Sequence, residues 1–138
     1  MSRFVVHVSA VLALAEREAE VAQTHELLAP TLVRSQVLSR LHEAVCAGDL
    51  DAGTARSRLT WIGKQPMRLL GDAVLRRRAW ELADELGWPS TYDAEYVALT
   101  ILQADALITL DAELERAVRG IVETAPLEAI LLCANSPT

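Results

Sequence analysis

Asp93 and Asp111 are the residues of this chain best suited to chemistry. Asp93 lies in Ser90-Thr91-Tyr92-Asp93-Ala94-Glu95-Tyr96-Val97-Ala98-Leu99, and Asp111 ends the apolar run Ala106-Leu107-Ile108-Thr109-Leu110. Carboxylates are the hard oxygen donors that Mg²⁺ takes, and two of them balance one divalent ion at most. Each aspartate also has a plain structural role open to it. Ser90, three residues before Asp93, could form a variant capping box with it. Asp111 is a good N-cap for a helix starting at Ala112. Glu95 and Glu113 each follow an aspartate by two residues. On a helix that spacing turns Glu95 away from Asp93, whereas Glu113 could reach a site at Asp111 across a tight turn.

His7 and Gln36 add two neutral polar groups. Gln36 offers a carbonyl oxygen but also an NH₂ donor. It is expected to be a buried polar residue bonded to Asp93 or Asp111. His7 offers a nitrogen that suits Mn²⁺ or Zn²⁺ better than Mg²⁺. It could act as a general base, but a buried, hydrogen-bonded histidine at a strand end is the simpler reading. Cys46 and Cys133 form no CxxC and no zinc pattern. His42 and Cys46, four residues apart on a predicted helix, are read as unrelated neighbours rather than a metal pair.

Short apolar runs alternate with longer helical patterns, which predicts an α/β domain around a parallel sheet. Arg3 to Val8 reads as a buried strand. Ser9 to Leu14 starts a helix that Glu16 to Leu28 continues or follows, until Pro30 breaks the pattern. Thr31 to Ala47 is a helix with Val33, Val37, Leu41 and Val45 on one face, closed by Gly48. Asp51 caps a helix to about Lys64 that buries Leu59 and Ile62, and Met67 to Leu70 is a short strand. Asp72 caps a helix to Leu86 with Val74, Leu75, Ala79, Leu82 and Leu86 inward, and Gly87 ends it. A helix from Tyr92 to Gln103, a strand from Leu107 to Leu110, a helix from Ala112 to Val118 and a strand from Gly120 to Glu123 complete the set. Ala134 to Thr138 is expected to be a mobile tail. The total is about five strands and about seven helices.

The 138 residues suffice for one domain with one core. The core must be built of Leu, Val and Ala, because only 4% of the chain is aromatic. Trp61, Trp80 and Trp88 are expected inside it. No apolar run approaches the ~20 residues that span a bilayer. The first residues do not form a secretory signal, so a cytoplasmic protein is expected. A net charge of −6 argues against broad, sequence-blind nucleic-acid affinity. The Arg76-Arg77-Arg78 run reads as a solvated helix face.

These segments resemble PIN-domain ribonucleases, specifically the VapC type of bacterial toxin–antitoxin pairs, over nearly the whole chain. Asp93 and Asp111 match the two C-terminal metal-binding positions of that pattern. His7, in Phe4-Val5-Val6-His7-Val8-Ser9-Ala10-Val11-Leu12, stands where the family has aspartate. Gln36, in Leu27-Leu28-Ala29-Pro30-Thr31-Leu32-Val33-Arg34-Ser35-Gln36-Val37, stands where it has glutamate. Ser9 and Thr109 match family hydroxyls that hold nearby carboxylates or waters. The resemblance implies a single PIN-like domain over residues 1–138, a three-layer α/β/α sandwich with a short, mostly parallel sheet. It implies a divalent-metal-dependent endoribonuclease using Mg²⁺ or Mn²⁺, no organic cofactor, RNA as substrate, a cognate antitoxin and a homodimer. With two of four acidic positions replaced, weak or lost cutting is expected, the alternative being a non-catalytic module that binds antitoxin or RNA.

Overall fold

The computed structural model of the protein describes residues 1–132. Cys133 and the expected tail from Ala134 to Thr138 lie outside them. The strands are β1 (Arg3–Val6), β2 (Glu26–Pro30), β3 (Met67–Leu70), β4 (Ala106–Ile108) and β5 (Thr124–Ala125). The helices are α1 (Val8–Arg17), α2 (Leu32–Cys46), α3 (Ala52–Gly63), α4 (Ala73–Leu86), α5 (Tyr92–Gln103) and α6 (Ala112–Ala117), with a 3-10 turn at Leu127–Ile130.

The five strands form one sheet in the order β3-β2-β1-β4-β5, and every pairing is parallel. Parallel strands are buried on both faces and read as unbroken apolar runs. Phe4, Val5 and Val6 in β1 and Ala106, Leu107 and Ile108 in β4 fit that description, all being buried. Each side chain as fully covered as Val5 or Leu107 contributes roughly 1.5–3 kcal/mol. The chain steps outward from β1 to β2 to β3, then returns past β1 to β4 and β5. Right-handed crossovers then put α1, α2 and α3 on one face and α4, α5 and α6 on the other, giving the three-layer α/β/α sandwich. The helix contacts agree: α1, α2 and α3 touch one another, while α4 packs on α5 and α5 lies across β1, β2 and β4.

Local signals set most element ends. Asp51 and Asp72 cap α3 and α4, accepting from the Thr54 and Leu75 amides. Gly87 ends α4 in the left-handed region at φ 70° and opens the tight turn into α5. The β3–α4 turn presses on the β2–α2 turn at Gly71. A Cβ at Gly71 would lie 2.6 Å from Thr31 Oγ1.

Several expectations need correction. The helix after β1 stops at Arg17, and Leu27 and Leu28 belong to β2. The last strand is Thr124–Ala125, while residues 120–122 are a turn. Val74 is 54% exposed and Trp80 66% exposed, so neither is in the core. Trp61, Trp88, Leu59 and Ile62 are half-buried at its margin.

Candidate functional site

The strand order reverses direction between β1 and β4, and clefts open at the carboxyl ends of strands at such a switch point. His7 follows β1, and Thr109, Leu110 and Asp111 follow β4. Asp93 and Tyr96 come from the first turns of α5, and Gln36 from α2. The fold thus brings the sequence-predicted residues to one edge of the sheet.

His7 is 2% exposed and its ring is fully engaged. It is the N-cap of α1, where its Nδ1 accepts the Ser9 backbone N–H at 3.3 Å. An amide can only donate, so Nδ1 carries the lone pair and the proton is assigned to Nε2. That Nε2–H donates to Asp93 Oδ1 at 3.0 Å. Ser9 Oγ receives the Leu110 N–H at 2.9 Å and lies 2.8 Å from Nδ1, to which it gives its own proton. Thr109 Oγ1 accepts the Asp111 N–H at 3.0 Å and lies 3.2 Å from Nδ1 and 3.3 Å from Ser9 Oγ. The two hydroxyls therefore tie the β4–α6 turn to the β1–α1 turn. The residues expected to hold carboxylates or waters hold backbone amides and the imidazole.

Gln36 does not bond Asp93 or Asp111 as expected. Its Oε1 accepts the Tyr96 hydroxyl at 2.5 Å. Tyr96 is fully buried, and its ring meets the His7 ring edge to face at 4.7 Å between centroids. Burial, then the charges of Asp93 and Glu95, push the phenol well above its ordinary range, so it stays a donor. Tyr96 was not foreseen, although its position three residues after Asp93 puts both on one helix face. Asp111 is the N-cap of α6, and its Oδ1 accepts the Glu113 and Leu114 amides at 3.0 and 3.2 Å. The capping box at Ser90 is not formed. Ser90 Oγ accepts the Tyr92 amide instead, and Asp93 turns to His7.

Outside this network lies a cleft of about 550 Å³ lined by Gln36, Arg40, Trp88, Tyr92, Asp93, Asp111 and Glu113. Three carboxylates face one guanidinium there. Glu113 joins it as its spacing allowed. Glu95 points elsewhere, half-buried, its carboxyl raised by desolvation against the lowering influence of Arg76. Arg40 was missed, though it lies one helical turn beyond Gln36. His42 Nδ1 and Cys46 Sγ are 3.6 Å apart on the exposed side of α2, away from the cleft.

The donor set does not fit a Mg²⁺ centre. His7 turns an N–H, not a lone pair, toward Asp93, and Gln36 is neutral and engaged by Tyr96. Asp93 and Asp111 each spend one oxygen on protein donors. Among the described residues no three His, Cys, Asp or Glu side chains converge to hold an ion. Nor do Ser9, His7 and Asp93 form a nucleophilic relay. Ser9 Oγ is occupied by the Leu110 amide and is not among the groups lining the cleft.

No family model and no curated protein matches the sequence. Among solved structures, the chain is similar to the crystal structure of PAE2754 from Pyrobaculum aerophilum. The two share 22% identity at a TM-score of 0.69, over 93% of this chain and 92% of that one. A likeness at this identity is one of fold, and the α/β/α sandwich with its parallel sheet is what the two chains share.

Proposed function

We propose that this chain is a VapC-like protein with a PIN-type fold, belonging to a toxin–antitoxin type system and descended from a divalent-metal-dependent ribonuclease, in which cutting is weak or lost and binding is the working activity. The observation that carries this reading is the His7 Nε2–H on Asp93. A group that donates to the acidic residue cannot share a cation with it. Metal systems lose roughly 10–100-fold when only an outer partner of a ligand is removed. Replacing two ligands outright costs more. Mg²⁺ or Mn²⁺ binding is accordingly weak, and no organic cofactor takes part. The cleft, with three carboxylates beside Trp88 and Tyr92, suits a basic segment of a protein partner. We assign that partner as a cognate antitoxin, met in the cytoplasm by a homodimer of this chain. RNA binding without cleavage is the second reading, favoured by Arg40 in the cleft.

The test is direct. Purified protein incubated with RNA in Mg²⁺ or Mn²⁺ is expected to leave it intact. The double variant His7→Asp with Gln36→Glu is expected to gain Mn²⁺ affinity in calorimetric titration. Robust cleavage by the native protein, abolished by Asp93→Ala, would overturn the binding reading. Co-expression with the product of an adjacent small reading frame is expected to give a complex that a charge reversal at Glu113 weakens.

A further inference from the structure

We propose that the His7–Asp93 pair is an ion-independent clamp, in which one imidazole proton joins the end of β1 to the start of α5 and holds the acidic edge of the sheet together without a cation. The pair concerns how the cleft is assembled, whatever occupies it, and stands on the geometry alone.

Asp93, Asp111 and Glu113 share one cleft. Carboxylates gathered in this way repel one another, and a bound cation is one way to offset that. Here the protein supplies the offset. Asp93 accepts the His7 Nε2–H and sits in the first turn of α5, where the helix dipole favours an anion. Asp111 accepts two amides at the start of α6. The clamp is anchored at its other end too. Nδ1 is held by the Ser9 amide and hydroxyl, and the ring face is braced by Tyr96. An imidazole held on both nitrogens and 2% exposed has no freedom to turn its lone pair to the cleft. No buried side-chain nitrogen or oxygen among the described residues lacks a partner. The network is closed as it stands. His7 is therefore a positioning residue, fixing where Asp93 points.

The experiment uses the full chain. Long-range ¹H–¹⁵N spectra of the native protein are expected to show His7 protonated on Nε2 and not on Nδ1, identically in EDTA and in Mg²⁺. Melting temperature is expected to be the same in EDTA, Mg²⁺ and Mn²⁺. Asp93→Asn keeps an acceptor for the Nε2–H and should melt close to the native protein with the same His7 pattern. Asp93→Ala removes the acceptor and should lower the melting temperature by about 5 °C or more, with a changed His7 signal. A rise in the native melting temperature on adding Mn²⁺ or Mg²⁺, a proton on Nδ1, or equal melting of Asp93→Asn and Asp93→Ala would each overturn the clamp. The clamp shares the His7 Nε2–H with the functional reading, but none of these readouts depends on RNA cleavage or on an antitoxin, so an intact clamp in a protein that cuts RNA would sink the functional reading alone.

Discussion

Tyr96→Phe isolates the bond that joins α5 to α2 at the back of the site. The ring is fully buried and its edge-to-face contact with His7 depends on carbon atoms that phenylalanine keeps. What is lost is the hydroxyl donated to Gln36 Oε1. Gln36 is only half-buried, so its carbonyl regains water when the donor goes. The full penalty of an orphaned buried acceptor is avoided, leaving a net loss of about 1 kcal/mol. Tyr96→Ala would instead leave a cavity worth roughly 3–5 kcal/mol and remove the brace on His7. Urea unfolding should show a lower midpoint for Tyr96→Phe with an unchanged slope. Because burial raises the phenol, the native protein keeps the bond through about pH 9, and the difference should be flat up to there. A loss above about 3 kcal/mol, or none, would refute this apportioning of the contact.

Other substitutions probe separate joints. Gly71→Ala should destabilise by about 1–3 kcal/mol, because the new Cβ would meet Thr31 Oγ1 and Cγ2, and Thr31→Ala should relieve it in the double variant, read by urea midpoints. Asp111→Ala removes the α6 cap and should cost about 1 kcal/mol, whereas Asp111→Asn should cost little. Glu95 has a raised carboxyl pKa, so the folded state holds its proton more tightly than the unfolded state. Its contribution therefore weakens stability as pH rises above 4.5, and Glu95→Gln should be the more stable protein at pH 7 in thermal melts. Asp51 is the opposite case. Its carboxyl is lowered by the Thr54 amide and hydroxyl, so its cap acts above pH 3.8 and is lost as pH falls through the folded value. An NMR titration of Asp51 should find a midpoint below 3.8.

The sequence was most legible where one signal had one meaning. Asp51, Asp72 and Gly87 mark helix ends by capping chemistry alone, and β1 and β4 are buried because nothing else can be done with such apolar runs. β2 was hidden because Leu27, Leu28 and Ala29 are good helix formers, and only pairing with β1 and β3 makes them a strand. The gathering of His7, Asp93, Asp111 and Gln36 was legible by resemblance, but their bonds were not. Gln36 is expected on Asp93 or Asp111, yet the hydroxyl that reaches its Oε1 is that of Tyr96, a partner no spacing between residues 36 and 96 announces. Trp80 was placed inside on residue type, yet its neighbours Ala79, Leu82 and Ala83 already fill the inner face of α4.

The central place of β1 dictates when the site can form. Its neighbour β4 lies about a hundred residues on, with Phe4 opposite Ala106. The His7–Asp93 bond closes a loop of 86 residues and Ser9–Thr109 one of 100. Such closures carry a large entropy cost before any contact repays it, and they slow folding. On a ribosome, β1 must wait, open along one edge, for β4. The cleft is then a late product of folding, and a nascent chain halted before β4 carries His7, Gln36 and Asp93 but neither Asp111 nor Glu113.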